Sequence, residues 1–350
     1  MKQAGIYNPY WATLGGGEKY TSLVISALLA KNYQVSIFTD QTDLTERVHQ
    51  RFGVDIQKAR IDPLGDELLK TGSMLQKIRF EKTFDLLFWV SDGSVPFMNS
   101  RFNLLHFQVP FKKVSGGWKN SLKMTKIHRV ICNSKFTKSV IDREYKCQSV
   151  VVYPPATMMQ KGIKSKTILS VGRFDNLLNA KRQDVLIEAF KKMNLSDWKL
   201  TLAGGSLSGS GEISRLEKLI GGDSRIELVV NPTFNEIASL YSKASIYWHA
   251  AGYGSDLAKN PEKAEHFGIS TVEAMSQGAI PVVFNGGGQV EIVDPGQNGF
   301  LWSYPQELIK ITYDLTGGKI DLSLLGKNAI KTAGKFSNQN FYDAINQVIS

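Results

Sequence analysis

The chain has 350 residues, 42% of them hydrophobic and 21% charged, enough apolar material for two domain-sized cores, which excludes a chain disordered throughout. No run approaches the ~18 apolar residues of a membrane span, and Cys132 and Cys147 form no CxxC, which excludes a cysteine zinc site or a disulfide framework and fits a reducing cytoplasm. The formal net charge is +10, a surplus that directs attention to anionic partners.

The opening residues, MKQAGIYNPYWATLGGGE, carry no basic stretch followed by an apolar one, so no secretory signal is expected. Short apolar, β-branched runs then alternate with helical patterns. Strands are predicted at 4–7, 34–39, 86–90, 104–108, 130–133 and 150–153, with helices such as 18–31 and 136–145 between them. Within this half, residues 101–146 hold eleven Lys or Arg against Asp142 and Glu144 alone, a local +9. Such a patch suits an anionic membrane, an anionic substrate or nucleic acid, or it is a solvated face. The alternation pauses at Tyr153–Lys166, where Pro154 and Pro155 can neither continue a helix nor donate to a ladder. It resumes with strands at 167–171, 199–203, 226–230, 245–249 and 280–284, and helices at 183–193, 235–244 and 270–276. A last apolar stripe, Phe341, Ala344, Ile345 and Val348, has helical spacing and could pack back on the first domain. Alternation of this kind predicts parallel sheets covered by helices on both faces. The expected fold class is α/β, with an N-terminal domain over 1–156, a linker over 157–166, a C-terminal domain over 167–335 and a C-terminal helix over 336–350.

Three motifs carry chemistry. Gly15-Gly16-Gly17-Glu18 follows the first strand and opens a helix, where free amides favour an anion. It is not GxGxxG, so a tight turn without ligand is the competing reading. Val171-Gly172-Arg173-Phe174, followed by Lys181 and Arg182, puts cations just past a strand's carboxyl end, where open α/β sheets bind ligands and where a diphosphate could be neutralised. Glu265-His266-Phe267-Gly268-Ile269-Ser270-Thr271-Val272-Glu273 sets two glutamates eight positions apart. In one continuous helix they would be turned ~800° and raised ~12 Å, whereas a loop at Glu265 brings both toward one ligand, with the amides of His266–Ile269 between them. Either glutamate could instead be a helix cap. Gly286-Gly287-Gly288 is a further anion-friendly turn that opens a helix. His106 ends an apolar strand and is either a core residue or a site residue, and His49, His128 and His249 have no partner at metal-ligand spacing. Neither DxD, GxSxG nor GxxxxGK[ST] occurs, which argues against a nucleotide-sugar metal pair, an α/β-hydrolase and a P-loop enzyme.

With GGGE at 15–18, HFQVP at 106–110, CNS at 132–134, VVYPPA at 151–156, VGRF and AKRQDVLIEAF within 171–190, EHFGISTVEAM at 265–275 and FNGGGQVEIV at 284–293, the chain resembles the retaining glycosyltransferases of family 4. Its EHFG and YPP wording is also similar to GDP-mannose-dependent mannosyltransferases that build lipid-linked oligosaccharides. The resemblance implies a GT-B fold, two doubly wound Rossmann-like domains with a cleft between them that closes to exclude water. It implies a nucleotide diphosphate sugar on the C-terminal domain and a glycan or lipid-linked acceptor on the N-terminal one. By matching positions, Arg173 and Lys181 hold the diphosphate, and Arg182 is the other candidate because the Asp175–Lys181 stretch is longer than the commonest family spacing. Glu273 binds the ribose. Glu265 and the amides of His266, Phe267, Gly268 and Ile269 hold the transferred sugar. Gly16 and Gly17 approach the phosphates, and His106 lies beside the anomeric carbon.

The implied reaction moves a sugar of mannose or glucose type with retention, needs no metal or other cofactor, and has the departing phosphate oxygen take the acceptor proton. The base is left to loops such as Asn231–Phe234. Residues 111–129, with Phe111, Lys112, Lys113 and Trp118, are expected to dock on anionic lipid at the inner face of the cytoplasmic membrane, serving cell-envelope glycan synthesis, and no nucleic acid partner is expected. The competing readings are a phosphorylase or epimerase of the same fold, which would need a pyridoxal-phosphate lysine or another acid pair, and a noncatalytic nucleic-acid-binding protein, whose affinity would fall steeply with salt.

Overall fold

The structure, a computed structural model, describes residues 1–112, 117–158, 162–175, 180–206 and 211–349, with the side chains of residues 117 and 118 left aside. Lys113, the Trp118 side chain, residues 159–161 of the expected linker and residues 176–179 before Lys181 lie outside the described residues. The chain divides into two units, one of Met1–Pro154 with Gln339–Ser350 and one of Pro155–Asn338.

The N-terminal unit is a seven-stranded parallel sheet of β1 (Gln3–Tyr7), β2 (Gln34–Phe38), β3 (Arg60–Ile61), β4 (Leu86–Val90), β5 (Phe102–Phe107), β6 (Arg129–Cys132) and β7 (Val150–Val151), in the order β3-β2-β1-β4-β5-β6-β7. One face is closed by the helix Gly16–Ala30 together with the helix Asn338–Val348. Phe341 meets Tyr20 edge-on at 4.9 Å and Ile345 is wholly buried, so the apolar stripe read from the C-terminal residues is the face that docks. The opposite face packs through Phe38, Leu69, Phe84, Leu87 and Met98.

The C-terminal unit repeats the plan with β8 (Ser165–Val171), β9 (Lys199–Gly204), β10 (Ile226–Val230), β11 (Ala244–His249), β12 (Ile280–Phe284) and β13 (Phe300–Trp302), a parallel sheet in the order β10-β9-β8-β11-β12-β13. Its core joins Ile168, Leu200, Ile246, Trp248 and Trp302 to helix residues such as Leu186 and Phe190. The segment after the two prolines is pinned here: the Ala156 N–H donates to the Phe336 carbonyl at 2.9 Å.

Each predicted strand is present, and the fold is the expected doubly wound α/β class in both units. Two edge strands are additional, β3 and β13, of two and three residues; pieces so short show no period to read. In each sheet the strand order reverses once, between β1 and β4 and between β8 and β11. A crevice at the carboxyl ends of the strands opens at such a reversal, and ligands bind there. Among the described residues no helix is long and apolar enough to cross a membrane.

Candidate functional site

At the reversal in the C-terminal unit, β8 ends on Val171 and β11 on His249. The chain leaves β8 through Gly172 and Arg173, and this turn is held firmly. The Gly172 N–H donates to the Ala203 carbonyl at 3.0 Å, and Gln183 Nε2 donates to the Arg173 carbonyl at 3.0 Å. The Arg173 side chain is half-buried, and among the described residues its guanidinium has no acidic partner. It is a cation carried on a held backbone turn.

Lys181 and Arg182 follow, and the structure separates them. Arg182 caps the helix Gln183–Lys191 in a left-handed conformation (φ 54°). Its Nη1 donates to the Tyr253 carbonyl at 2.6 Å and its Nε to Asp184 Oδ1 at 3.1 Å. Arg182 therefore holds neighbouring chain. Lys181 instead donates through Nζ to Glu265 Oε2 at 2.7 Å. The same carboxylate oxygen lies 2.9 Å from His249 Nε2. The Ala251 N–H donates to His249 Nδ1 at 3.4 Å, on the side of the ring away from Glu265. Burial pushes the Glu265 carboxyl up, but the Lys181 charge and the His249 contact outweigh it and hold the group well below the ordinary carboxylate range.

Glu265 sits in a loop, and the helix that follows runs Ile269–Ser276, so the looped alternative for the two glutamates is the one adopted. Gly268 caps this helix at φ 118°, a conformation costly for any residue with a Cβ. Among the described residues the Gly268 and Ile269 amides have no protein acceptor. Phe267 points into the core against Phe336 at 5.2 Å, so only its backbone can serve a ligand. His266 Nε2 donates to the Glu262 carbonyl at 2.9 Å. Glu273, in the second turn, accepts at Oε1 from the Thr157 N–H at 3.5 Å. Burial pushes the Tyr247 phenol up, and the charges of Glu265 and Glu273 both add to that rise. Its hydroxyl is 2.8 Å from Ser270 Oγ and 3.2 Å from the Val171 carbonyl.

The glycine run after β12 departs from expectation. It opens a short 3-10 turn, Gly287–Glu291, and the Gly288 N–H donates to the Glu265 carbonyl at 2.7 Å. A Cβ at Gly288 would stand 2.5 Å from both the His266 carbonyl and Phe267 Cα. These glycines let one turn lie against the Glu265–Gly268 loop and fix it; Gly288 is not an open anion site.

In the N-terminal unit, Gly16 and Gly17 begin the helix Gly16–Ala30, and Glu18 caps it from within: its Oε2 accepts from the Gly15 N–H at 2.6 Å and from Thr13 Oγ1 at 2.7 Å. The Gly15 amide is thus already satisfied within the turn. His106 is fully buried, stacked on Tyr20 with ring centroids 4.2 Å apart. Burial lowers its pKa to about 3, against the opposing pull of the Ile131 carbonyl, so the ring is neutral. The structure places it inside the core of β5, because strand alternation turns 106 inward. Gln108, two residues on, lies directly against Gly17 in the space a Cβ there would fill.

Residues 158–318 match the model of the glycosyl transferases group 1. The matched stretch lies within the C-terminal unit. The chain is 29% identical over 238 residues to a GDP-Man:Man(3)GlcNAc(2)-PP-Dol alpha-1,2-mannosyltransferase of Xenopus laevis, covering 61% of this chain and 46% of that protein. It is 26% identical over 238 residues to an uncharacterised glycosyltransferase of Methanocaldococcus jannaschii, covering 63% and 60%. The aligned region thus spans less than two thirds of either relative. Among solved structures, Anabaena HepE in complex with UDP and glucose superposes with a TM-score of 0.72 at 16% identity, covering 100% of this chain and 99% of that one. The fold is that of the GT-B glycosyltransferases.

Within the matched stretch, sequence reasoning missed His249 and Tyr247. No spacing links either to Glu265; the only signal is that both lie on the strand that ends at the reversal of the sheet. The ion pair has a pH consequence. A carboxyl held low in the folded state contributes stability that is present above the ordinary glutamate value of 4.5 and lost as pH falls through the depressed one. Melting followed from pH 5 downward should therefore show a steeper loss for the native protein than for Glu265→Gln; equal slopes would refute the pairing.

Proposed function

We propose that this protein is a retaining glycosyltransferase. It moves a sugar of mannose or glucose type from a nucleotide diphosphate sugar to a glycan or lipid-linked acceptor, with no metal required. The observation that carries this reading is the meeting of Lys181, Glu265 and His249 at the reversal of the C-terminal sheet, where Arg173 follows the end of β8. As the bond to the sugar breaks, negative charge gathers on the departing diphosphate. Arg173, Lys181 and the Gly268 and Ile269 amides are fixed positive groups that stabilise it without reorganising. Glu265 accepts from the sugar hydroxyls, and its neighbours keep it ionised for that purpose. Glu273 takes the ribose hydroxyls. The departing phosphate oxygen receives the acceptor proton on the same face, which retains configuration.

The family matched over 158–318 supports the reaction class. A mannose donor is supported by the name of the Xenopus laevis relative, and a glucose donor by the ligands in the Anabaena structure. In this reading the protein works at the inner face of the cytoplasmic membrane. The helix Gly117–Met124, with Lys119 exposed and Leu122 55% exposed, and the adjoining Lys126 meet anionic lipid.

A thermal-shift series with GDP-mannose, UDP-glucose and UDP-N-acetylglucosamine tests the reading. A donor at 100 times its Kd adds about 2.7 kcal/mol, a rise of roughly 5–10 °C for a unit of this size. Failure of all three to raise the melting temperature would count decisively against it. NMR of the product anomer reads retention directly.

A further inference from the structure

The C-terminal sheet ends on β10, and this edge is unlike the other three. The edge strands β3, β7 and β13 are two, two and three residues long. β10 has five, Ile226-Glu227-Leu228-Val229-Val230, in unbroken register with β9. Short strands, lysines, prolines and bulges are the means by which an edge avoids pairing with another chain, and β10 has none of them. Among the described residues no strand lies along its outer side. Val230 is 40% exposed, and Leu228 and Val229 are half-buried.

The ladder fixes which backbone groups face outward. The Leu200 N–H donates to the Arg225 carbonyl at 2.9 Å, and the Asn231 N–H donates to the Gly204 carbonyl at 2.8 Å. Between those two bonds the parallel register commits the amides and carbonyls of Glu227 and Val229 to β9. The groups of Ile226, Leu228 and Val230 therefore point away from the sheet. The Ile226 N–H turns back to the Asp223 carbonyl at 3.0 Å. Among the described residues the Ile226 carbonyl and both backbone groups of Leu228 and Val230 have no protein partner.

This edge is complementary to itself. Laid antiparallel on a second copy with the two-fold axis at Leu228, each Leu228 N–H donates to the Leu228 carbonyl of the other copy. The Val230 N–H of each copy donates to the Ile226 carbonyl of the other. Leu228 then faces Leu228, Val230 faces Ile226, and Glu227, the one charged residue of the strand, faces Val229. The two Glu227 carboxylates stand only on the diagonal, ~7–8 Å apart, whereas an axis at Glu227 would set these like charges face to face. An axis at Val229 would pair Glu227 with Asn231, which has already left the strand at φ 53°. We propose that β10 is a self-pairing edge, through which two copies of this chain join antiparallel about Leu228 into one continuous sheet. The proposal stands on the backbone of this edge and is independent of the glycosyltransferase reading.

Analytical ultracentrifugation of the full chain from micromolar to submillimolar concentration, with hydrogen exchange read residue by residue, tests it. The chain should pass from monomer to dimer as concentration rises. The Leu228 and Val230 amides should gain about tenfold protection in step, while those of Glu227 and Val229, already bonded to β9, should not change. Val230→Lys, at an exposed position, should weaken the dimer about tenfold, and Leu228→Lys, which sets two ammonium groups face to face on the axis, should leave only monomer. Val229→Lys separates this pairing from any other: it puts a lysine opposite Glu227 on both sides of the axis and should tighten the dimer about fivefold. Should Leu228→Lys fail to fold, the other two variants decide. A monomer at every concentration, a dimer indifferent to Val230→Lys, weakening by Val229→Lys, or protection of Leu228 and Val230 that does not follow concentration would each overturn the proposal. So would protection that arises only when a different protein is added, which would assign the edge to that partner.

Discussion

Glu265→Ala is expected to lower sugar transfer by roughly 10²–10⁴-fold. Two hydrogen bonds from sugar hydroxyls to an ionised carboxylate contribute about 1.5–3 kcal/mol each, and each ~1.4 kcal/mol is a factor of ten in rate. The carboxylate is suited to this because Lys181 and His249 both face its Oε2. In the proposed arrangement it touches the sugar and not the nucleotide. Binding of the free nucleoside diphosphate should then survive in the variant, measured by calorimetry, while kcat/KM for the donor collapses. Transfer at the native rate would discard the site. Parallel loss of nucleotide affinity would show that Glu265 holds the loop and not the sugar.

Arg173→Ala should reduce kcat by about 10²–10³-fold, the usual cost of removing one preorganised group that stabilises developing charge. Here both nucleotide affinity and rate should fall, since the diphosphate is present before and after transfer. Arg173→Lys keeps the charge but loses the forked geometry, so it should recover only part of the rate. The alanine variant should melt close to the native protein, because among the described residues no acid depends on this guanidinium. Arg182→Ala is the contrast: Arg182 is tied to Asp184 and the Tyr253 carbonyl, so its loss should appear in stability before it appears in nucleotide binding.

The architecture was largely legible in the sequence. Parallel strands buried on both faces read as apolar runs, and amphipathic helices between them read as a 3.6-residue period. The runs at Leu86–Val90, Ile226–Val230 and Ile280–Phe284 became strands with those bounds. The edge strands β3 and β13 were not legible, because their pairing comes from β2 and β12 and not from their own residues. Of the site, Glu265, Glu273, Arg173 and Lys181 could be named because strand ends, glycine turns and a glutamate pair sit close together in the chain. Lys181 and Arg182 could not be separated, since adjacent cations look alike until a backbone turn sends one toward Tyr253 and the other toward Glu265. His249 was passed over for the same reason, having no neighbour in sequence that reveals its partner in space.

Taken alone, the amino-acid order determined the strands other than β3 and β13, several of the helices between them, the pause at Pro154 and Pro155 and the charged residues near the strand ends, because burial periodicity and turn chemistry act over a few residues. Tertiary structure alone decided which charges meet. It set His249 and Lys181 on one oxygen of Glu265 and turned His106 into the core with Gln108 outside it. Each of these depends on the pairing and packing of elements far apart in the chain, which no local pattern encodes.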